Sequence, residues 1–558
     1  MGTNSILRLR RSAAQLHALA QVEREIRATD PKIRCRYLRE FTDAFRTYQS
    51  VLTAGELDAL LAPADVVLLG DYHALSASQD YAGELLPRLR ALTGRPVVLA
   101  LEAIFVRHQP ALDEWMRGEI EESELRERVR FDLDWGYDWA PYRDLLLRAR
   151  EHALAVYGLD CTPRNDLRKI AARDRHAASK IAEIRERHPG AVVLVLFGES
   201  HLAPSHLPQS VQLRRPLDRV LTVLQNVDPL YWHAAGESCE RVEAVKVNDD
   251  AICIFNSTPL EKYESYRICL ERWRREGSER PDLAPSVYNL VDALLRFLNI
   301  DKYAATNGTQ PRFLVDMLPD VISRESSEQI ARVLQRKRVP EGEARRIVAA
   351  IEENGICYAP ALSAILLRSF SIRHGAQEVA RFVFHACQAS LHRETAALPL
   401  SSEDRFYLAA MEEALVYLGS RVLDPARESV RESGLYALYT HPREVIEEQT
   451  IYSYRQFLEM VDFLVLHKDW EANYRRYRQV PSLIGVGLQY QGECFEYVTR
   501  QLGLMLGSQL YDAYVSGSAA KRFLRALFLR KMYRPGVARA AYFEAARRLR
   551  STRRPAAA

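Results

Sequence analysis

Four short apolar runs stand out in the first half of the chain, each stopping at a glycine or a carboxylate. They are Val66-Val67-Leu68-Leu69 before Gly70, Val97-Val98-Leu99-Ala100-Leu101 before Glu102, Ala155-Val156-Tyr157-Gly158-Leu159 before Asp160, and Val192-Val193-Leu194-Val195-Leu196-Phe197 before Gly198. Unbroken runs of this length, rich in β-branched residues, predict strands buried on both faces and hence a parallel sheet. The segments 76–93, 109–153 and 166–188 between them carry apolar residues at helical spacing. This alternation predicts an α/β domain, a mostly parallel sheet with flanking helices joined by right-handed crossovers. Further strands are expected at 220–224, 243–247 and 251–255, the last two forming a hairpin across Asn248-Asp249-Asp250, so part of the sheet is antiparallel. Thr258-Pro259 opens a helix over 260–276, because proline suits a first helical turn.

The flanks read differently. Residues 10–60 are charged and periodic and break at Asp30-Pro31, which predicts two helices packed on the α/β domain. Beyond the polar stretch Gly277–Pro285 the strand signal fades, and 287–298, 326–337, 341–353, 359–369, 375–395, 402–420, 442–476, 493–514 and 518–530 read as helices without an internal repeat. The expected layout is therefore N-terminal helices over 1–60, an α/β domain over 61–280 and an all-α C-terminal domain over 286–558. In the basic amphipathic segment Lys521–Lys531 the apolar stripe of Phe523, Leu524 and Leu527 is expected to pack inward rather than meet a membrane.

Composition narrows the classes. With 558 residues the chain exceeds one ordinary core, and 47% apolar against 27% charged residues marks a folded protein rather than a disordered one. A net charge of +4 points to no nucleic-acid partner, and the basic stretch 547–554 reads as a solvated end. No apolar run reaches the roughly 18 residues of a membrane span. Arg8, Arg10 and Arg11 interrupt any signal sequence, and Ile6 stands where N-myristoylation needs a hydroxyl residue. The 8 cysteines form no Cys-x-x-Cys pair, which argues against a thiolate zinc site or a disulfide framework. A cytoplasmic protein with reduced thiols is expected. Gly485-Val486-Gly487 lacks a third glycine at dinucleotide spacing, and Gly198-Glu199-Ser200-His201 lacks the closing glycine of a nucleophile elbow.

The chemistry lies at the strand ends. Parallel strands open their C-termini onto one edge, where ligands bind. The four runs deliver Asp71 and His73, then Glu102, then Asp160 and Arg164, then Glu199 and His201 followed by His206. Loops at strand ends are polar in any protein. What sets this edge apart is the repeated Gly-[Asp/Glu]-x-His, in Gly70-Asp71-Tyr72-His73 and again in Gly198–His201. In extended backbone the acid and the histidine, two apart, point the same way. Imidazole and carboxylate suit zinc, manganese or iron, with His73 and His201 as ligands and Glu102 or Glu199 as the base that activates water. Alternatively, histidine with Tyr72 suits haem iron. The residues expected to contact a ligand are Asp71, Tyr72, Arg107, Gln109, Tyr142, Asp160 and Arg164. The aromatic stretch Trp135, Trp139 and Tyr142 reads either as core or as a platform for a flat ligand.

The order of these residues resembles the ChaN-like proteins of the Tiki/TraB/erythromycin-esterase group. The resemblance rests on Gly70–His73, Leu101-Glu102, Gln109, Leu112-Asp113, Asp134-Trp135, Trp139, Tyr142, Asp174 in a helix and Gly198–His201, and it spans about 65–257. The chain departs from the pattern at Asp71, where glutamate is usual, and in having Gln79 near the place of a further histidine. The resemblance implies an α/β domain that binds haem, or acts as a metal-dependent hydrolase of esterase or protease type. Haem would sit in an apolar slot between two subunits of a homodimer. A degenerate site would instead leave a scaffold whose helical C-terminal domain binds a protein partner.

Overall fold

A computed structural model describes residues 2–30, 36–161, 170–237, 242–274, 281–303, 314–324, 326–391, 399–435, 454–473 and 493–551. The chain divides into two compact units, one of Gln21–Pro281 and one of Met1–Ala20 with Asp282–Ala558. The first twenty residues thus group with the C-terminal unit, whereas the helices Arg36–Ala44 and Ala54–Leu61 belong to the α/β unit.

The α/β unit is built on eight strands: β1 (Ser50–Leu52), β2 (Val66–Asp71), β3 (Val97–Phe105), β4 (Ala155–Asp160), β5 (Val192–Gly198), β6 (Val220–Gln225), β7 (Ala244–Asn248) and β8 (Ala251–Ile254). Their order is β1-β7-β8-β6-β2-β5-β3-β4. Pairing is parallel from β8 through β6, β2, β5 and β3 to β4, and antiparallel where β7 meets β8 and β1. Alternate residues of each strand feed two separate cores. Val67, Leu69, Leu99, Leu101, Leu194 and Leu196 pack with the helices Ser76–Thr93 and Trp139–His152. Val66, Leu68, Val98, Val193, Val195 and Phe197 pack with Ile170–Arg187 and with Phe41 and Phe45. Burial on both faces is why these strands read as unbroken apolar runs.

The expected helical stretch 109–153 is four helices, Gln109–Met116, Glu122–Arg128, Phe131–Asp134 and Trp139–His152. Gly118 and Gly136, at φ of 72° and 78°, turn the chain between them. On the edge strand, β3 and β4 shift register between Leu101 and Phe105. Such an irregularity re-aims side chains, and here it falls on the segment that carries Glu102.

Among its described residues the C-terminal unit is helical apart from one small sheet. β9 (Asp320–Ser323), β10 (Ile356–Ala359) and β11 (Ala364–Leu367) form a three-stranded sheet of order β10-β11-β9, so the segment 359–369 is a short turn and a strand rather than a helix. The helices Ser402–Leu423 and Glu493–Ser516 approach closely at Gly503 and Gly507. A Cβ at Gly503 would stand 2.8 Å from the Ala410 carbonyl oxygen, and one at Gly507 would stand 2.5 Å from that of Ala414. Phe523, Leu524 and Leu527 are buried, so the basic segment does pack its apolar stripe inward. No helix among the described residues is long and apolar enough to cross a membrane.

Candidate functional site

The edge where β2, β3, β4 and β5 end holds one connected group of buried polar side chains. β2 finishes at Asp71, and a turn closed by the Leu75 N–H on the Tyr72 carbonyl follows it. This turn brings His73 Nδ1 to 2.9 Å from Asp71 Oδ2. Asp71 also accepts the Tyr142 hydroxyl at 2.7 Å and the Gln79 amide. β5 passes at Gly198 into the single 3-10 turn Glu199–Leu202, which presents His201. His201 Nδ1 lies 2.5 Å from Asp174 Oδ1, on the helix Ile170–Arg187. Each imidazole is thus backed by a buried aspartate.

Both imidazoles turn their other nitrogen to Glu102. His73 Nε2 lies 3.9 Å from Oε2 and His201 Nε2 lies 3.9 Å from Oε1. Glu102 is fixed by the Arg173 guanidinium at 2.5 Å and by the Gly198 N–H at 2.5 Å. Arg173 also forks onto Asp160, at 2.9 and 3.0 Å. Burial alone would raise the Glu102 carboxyl, but Arg173, the two imidazoles and the Gly198 N–H outweigh it and hold it down to about 2. Glu102 is therefore ionised and too weakly basic to take a proton near neutrality. Gly198 permits this close approach, since a Cβ there would lie 3.0 Å from Glu102 Oε2 and 3.2 Å from His73 Nε2.

A second group adjoins the first. Glu199 pairs with the buried Lys262 at 3.0 Å, and the Lys262 ammonium sits 4.8 Å above the Tyr72 ring. Burial raises the Glu199 carboxyl despite Lys262. Burial likewise raises the Tyr72 hydroxyl well above its ordinary range, with Tyr263 and Glu199 adding to it. Rings continue outward from His73. Trp135 and Tyr137 contact it edge-on at 4.4 and 5.1 Å, and Trp273 contacts Tyr137 at 5.2 Å and Tyr266 at 6.3 Å. Trp273 is exposed, so an aromatic wall runs from solvent to the half-buried His73.

This donor set can be tested against the expected ligands. Two donors about 2.0–2.1 Å from a tetrahedral ion stand only about 3.3 Å apart, less than the 3.9 Å separations found here. Among the described residues no three His, Cys, Asp or Glu side chains are grouped to hold a metal ion. The expectation of a mononuclear metal centre at His73 and His201 thus finds no support in this arrangement. For haem, the aromatic wall fits a flat ring. His73 is engaged at Nδ1 by Asp71, and its Nε2 stands 3.9 Å from Glu102 Oε2. Burial of the Tyr72 hydroxyl disfavours its phenolate form.

The family described as "Haem-binding uptake, Tiki superfamily, ChaN" matches residues 58–174. The chain contains a ChaN-like domain. Two solved structures are similar to parts of it. One, "Cofacial heme binding to ChaN of Campylobacter jejuni", shares 16% identity over 32% of this chain and 88% of its own, with a TM-score of 0.27. The other, the type III effector HopBA1, shares 14% identity over 38% of this chain and 96% of its own, with a TM-score of 0.29. Similarities this loose assign no residue and no function. No curated protein matches the sequence.

Within the ChaN-like domain and the strand that completes it, Asp71, His73, Glu102, Tyr142, Asp160 and His201 fall into one hydrogen-bonded or facing group, with Tyr72 and Glu199 beside it. Two expected contacts lie elsewhere. Arg107 pairs with Asp134 at 2.6 Å on the exposed side of the edge. Gln109 bridges the backbone of β4, donating to the Val156 carbonyl at 2.8 Å and accepting the Gly158 N–H at 3.1 Å. Arg164 lies outside the described residues. Sequence reasoning missed Arg173, Lys262 and Tyr37, which reach the edge from helices. The adjacent Arg173-Asp174 pair, two opposite charges on a helix following the third strand, was the one signal for the first of these.

Proposed function

We propose that the ChaN-like domain binds a small ester or amide against the aromatic wall and hydrolyses it, with His73 and His201 as an acid–base pair. One observation carries this reading. Two imidazoles, each held at Nδ1 by a buried aspartate, direct Nε2 to opposite oxygens of one ionised carboxylate. An aspartate on Nδ1–H fixes the tautomer that leaves Nε2 as a base and stabilises the imidazolium once it forms. One Nε2 takes a proton from water as the water oxygen bonds to the carbonyl carbon. The other imidazole, protonated, gives its proton to the leaving oxygen or nitrogen as that atom's bond to carbon breaks. Glu102, kept charged by Arg173, stabilises both imidazolium forms without exchanging a proton.

The test is hydrolysis of p-nitrophenyl acetate by the full chain. Turnover is expected, with a loss of about 100-fold or more in His73→Ala and in His201→Ala. Equal turnover by both variants and the parent would refute the assignment. The aromatic wall of Trp135, Tyr137 and Trp273 favours a second reading, haem binding. Haem would bring redox and ligand-binding chemistry, with Trp135 and Tyr137 gripping its ring and His73 at its edge. Haemin titration separates the two: a Soret shift weakened by both Trp135→Ala and His73→Ala supports haem, and a shift indifferent to both refutes it.

A further inference from the structure

We infer that Tyr37, on a helix outside the segment matched to the family, is a positioning residue for His201. Its hydroxyl donates to Asp174 Oδ2, and the other oxygen of Asp174 lies 2.5 Å from His201 Nδ1. Three groups therefore run in line from the helix Arg36–Ala44 to the imidazole that faces Glu102. The Tyr37 ring is held independently of its hydroxyl. It stacks on His206 with centroids 3.5 Å apart and planes 8° from parallel, and meets His201 edge-on at 5.5 Å. His206 Nδ1 in turn lies 3.0 Å from the Ser200 carbonyl oxygen, and its Nε2 lies 3.0 Å from Glu40 Oε2. One helix thus grips the turn that presents His201 at two points, through Asp174 by way of Tyr37 and through His206 by way of Glu40.

The two grips have different consequences. A carboxylate bonded through one oxygen can still rotate about its side-chain axis. With Tyr37 on one oxygen and His201 on the other, Asp174 has a fixed plane, and so do the orientation and tautomer of the imidazole. The other groups facing His201 are Glu102 at Nε2, with Arg173 and His73 bonded to or facing that same carboxylate, and the Phe197 ring at 4.9 Å. None of these fixes Nδ1. Glu40, by contrast, meets His206 Nε2, and the line from Tyr37 through Asp174 to His201 does not run through it.

The inference rests on the acid–base reading of His201, but its main test does not depend on activity. The full chain carrying nitrogen-15 histidine is compared with Tyr37→Phe, with Asp174→Asn as the same line cut from the other side and Glu40→Gln as the control. His201→Asn assigns the signals. In the parent, the His201 nitrogens should report one tautomer with the proton on Nδ1. In Tyr37→Phe and in Asp174→Asn they should move toward each other, the mark of a mixed population. Glu40→Gln should match the parent. Where the parent hydrolyses p-nitrophenyl acetate, Tyr37→Phe should lower kcat about 10-fold and leave KM within about twofold, since a misoriented base slows the chemical step rather than binding. Unchanged His201 signals in Tyr37→Phe, or an equal change in Glu40→Gln, overturns the inference. A parent that hydrolyses nothing overturns the hydrolytic reading, and the nitrogen spectra still decide the role of Tyr37.

Discussion

Glu102 has its charge stabilised from four sides, and that makes a pH dependence that can be measured. Its carboxyl is held at about 2, against an ordinary value of 4.5. A depressed folded-state pKa contributes stability above the unfolded value, and that stability is lost as pH falls toward the folded one. The parent should therefore exceed Glu102→Gln in urea stability near pH 6 by at most about 3 kcal/mol. The gap should close between pH 4.5 and 2; a gap independent of pH would show that the charge is not what Arg173 stabilises. At this scale the sequence exposed His73, Glu102 and His201, each of which follows an apolar run. It hid most of their partners, because Arg173, Lys262 and Tyr37 lie in the middle or at the start of amphipathic helices. There a charged or hydroxyl residue reads as solvent-facing. Only the fold shows that Tyr37 lies beside Asp174, 137 positions later in the chain.

Strands buried on both faces announced themselves, and the β-branched composition of β2, β3 and β5 left no competing reading. The strands of the C-terminal unit did not. β11 is four residues, Ala364–Leu367, inside a stretch with enough leucine and alanine to pass for a helix, and β9 is only half-buried. Short apolar runs cannot be told apart by period alone. Gln109 belongs to this scale too. It takes the place of a neighbour strand along the edge strand β4 by serving the carbonyl of Val156 and the N–H of Gly158. Gln109→Leu should cost about 1–3 kcal/mol, the penalty for two backbone groups left without a partner. Urea titration measures it, and a change within error would show that water replaces the amide.

Each of the two units closes cores of its own, which allows one to be weakened without the other. Gly507 is the place to do so. Its absent side chain lets the backbones of Ser402–Leu423 and Glu493–Ser516 meet, and a methyl group there would stand 2.5 Å from a carbonyl oxygen that is itself part of a helix. Gly507→Ala should destabilise the helical unit by about 1–3 kcal/mol through overpacking. Calorimetry should show one transition moving down and another, from the α/β unit, staying in place; a single transition that moves as a whole would show the units melt together. The sheet order carries one more consequence, for synthesis. β2 brings the first histidine motif, but its neighbours are β5 and β6, and Val66 pairs with Val193 and Val220. On a ribosome adding about 5–20 residues per second, the strand bearing His73 leaves the exit tunnel with no partner in existence and waits many seconds for one. Through that interval the central strand of the sheet is an unpaired apolar segment, and the nascent chain depends on chaperones, or on its own early helices, to cover it.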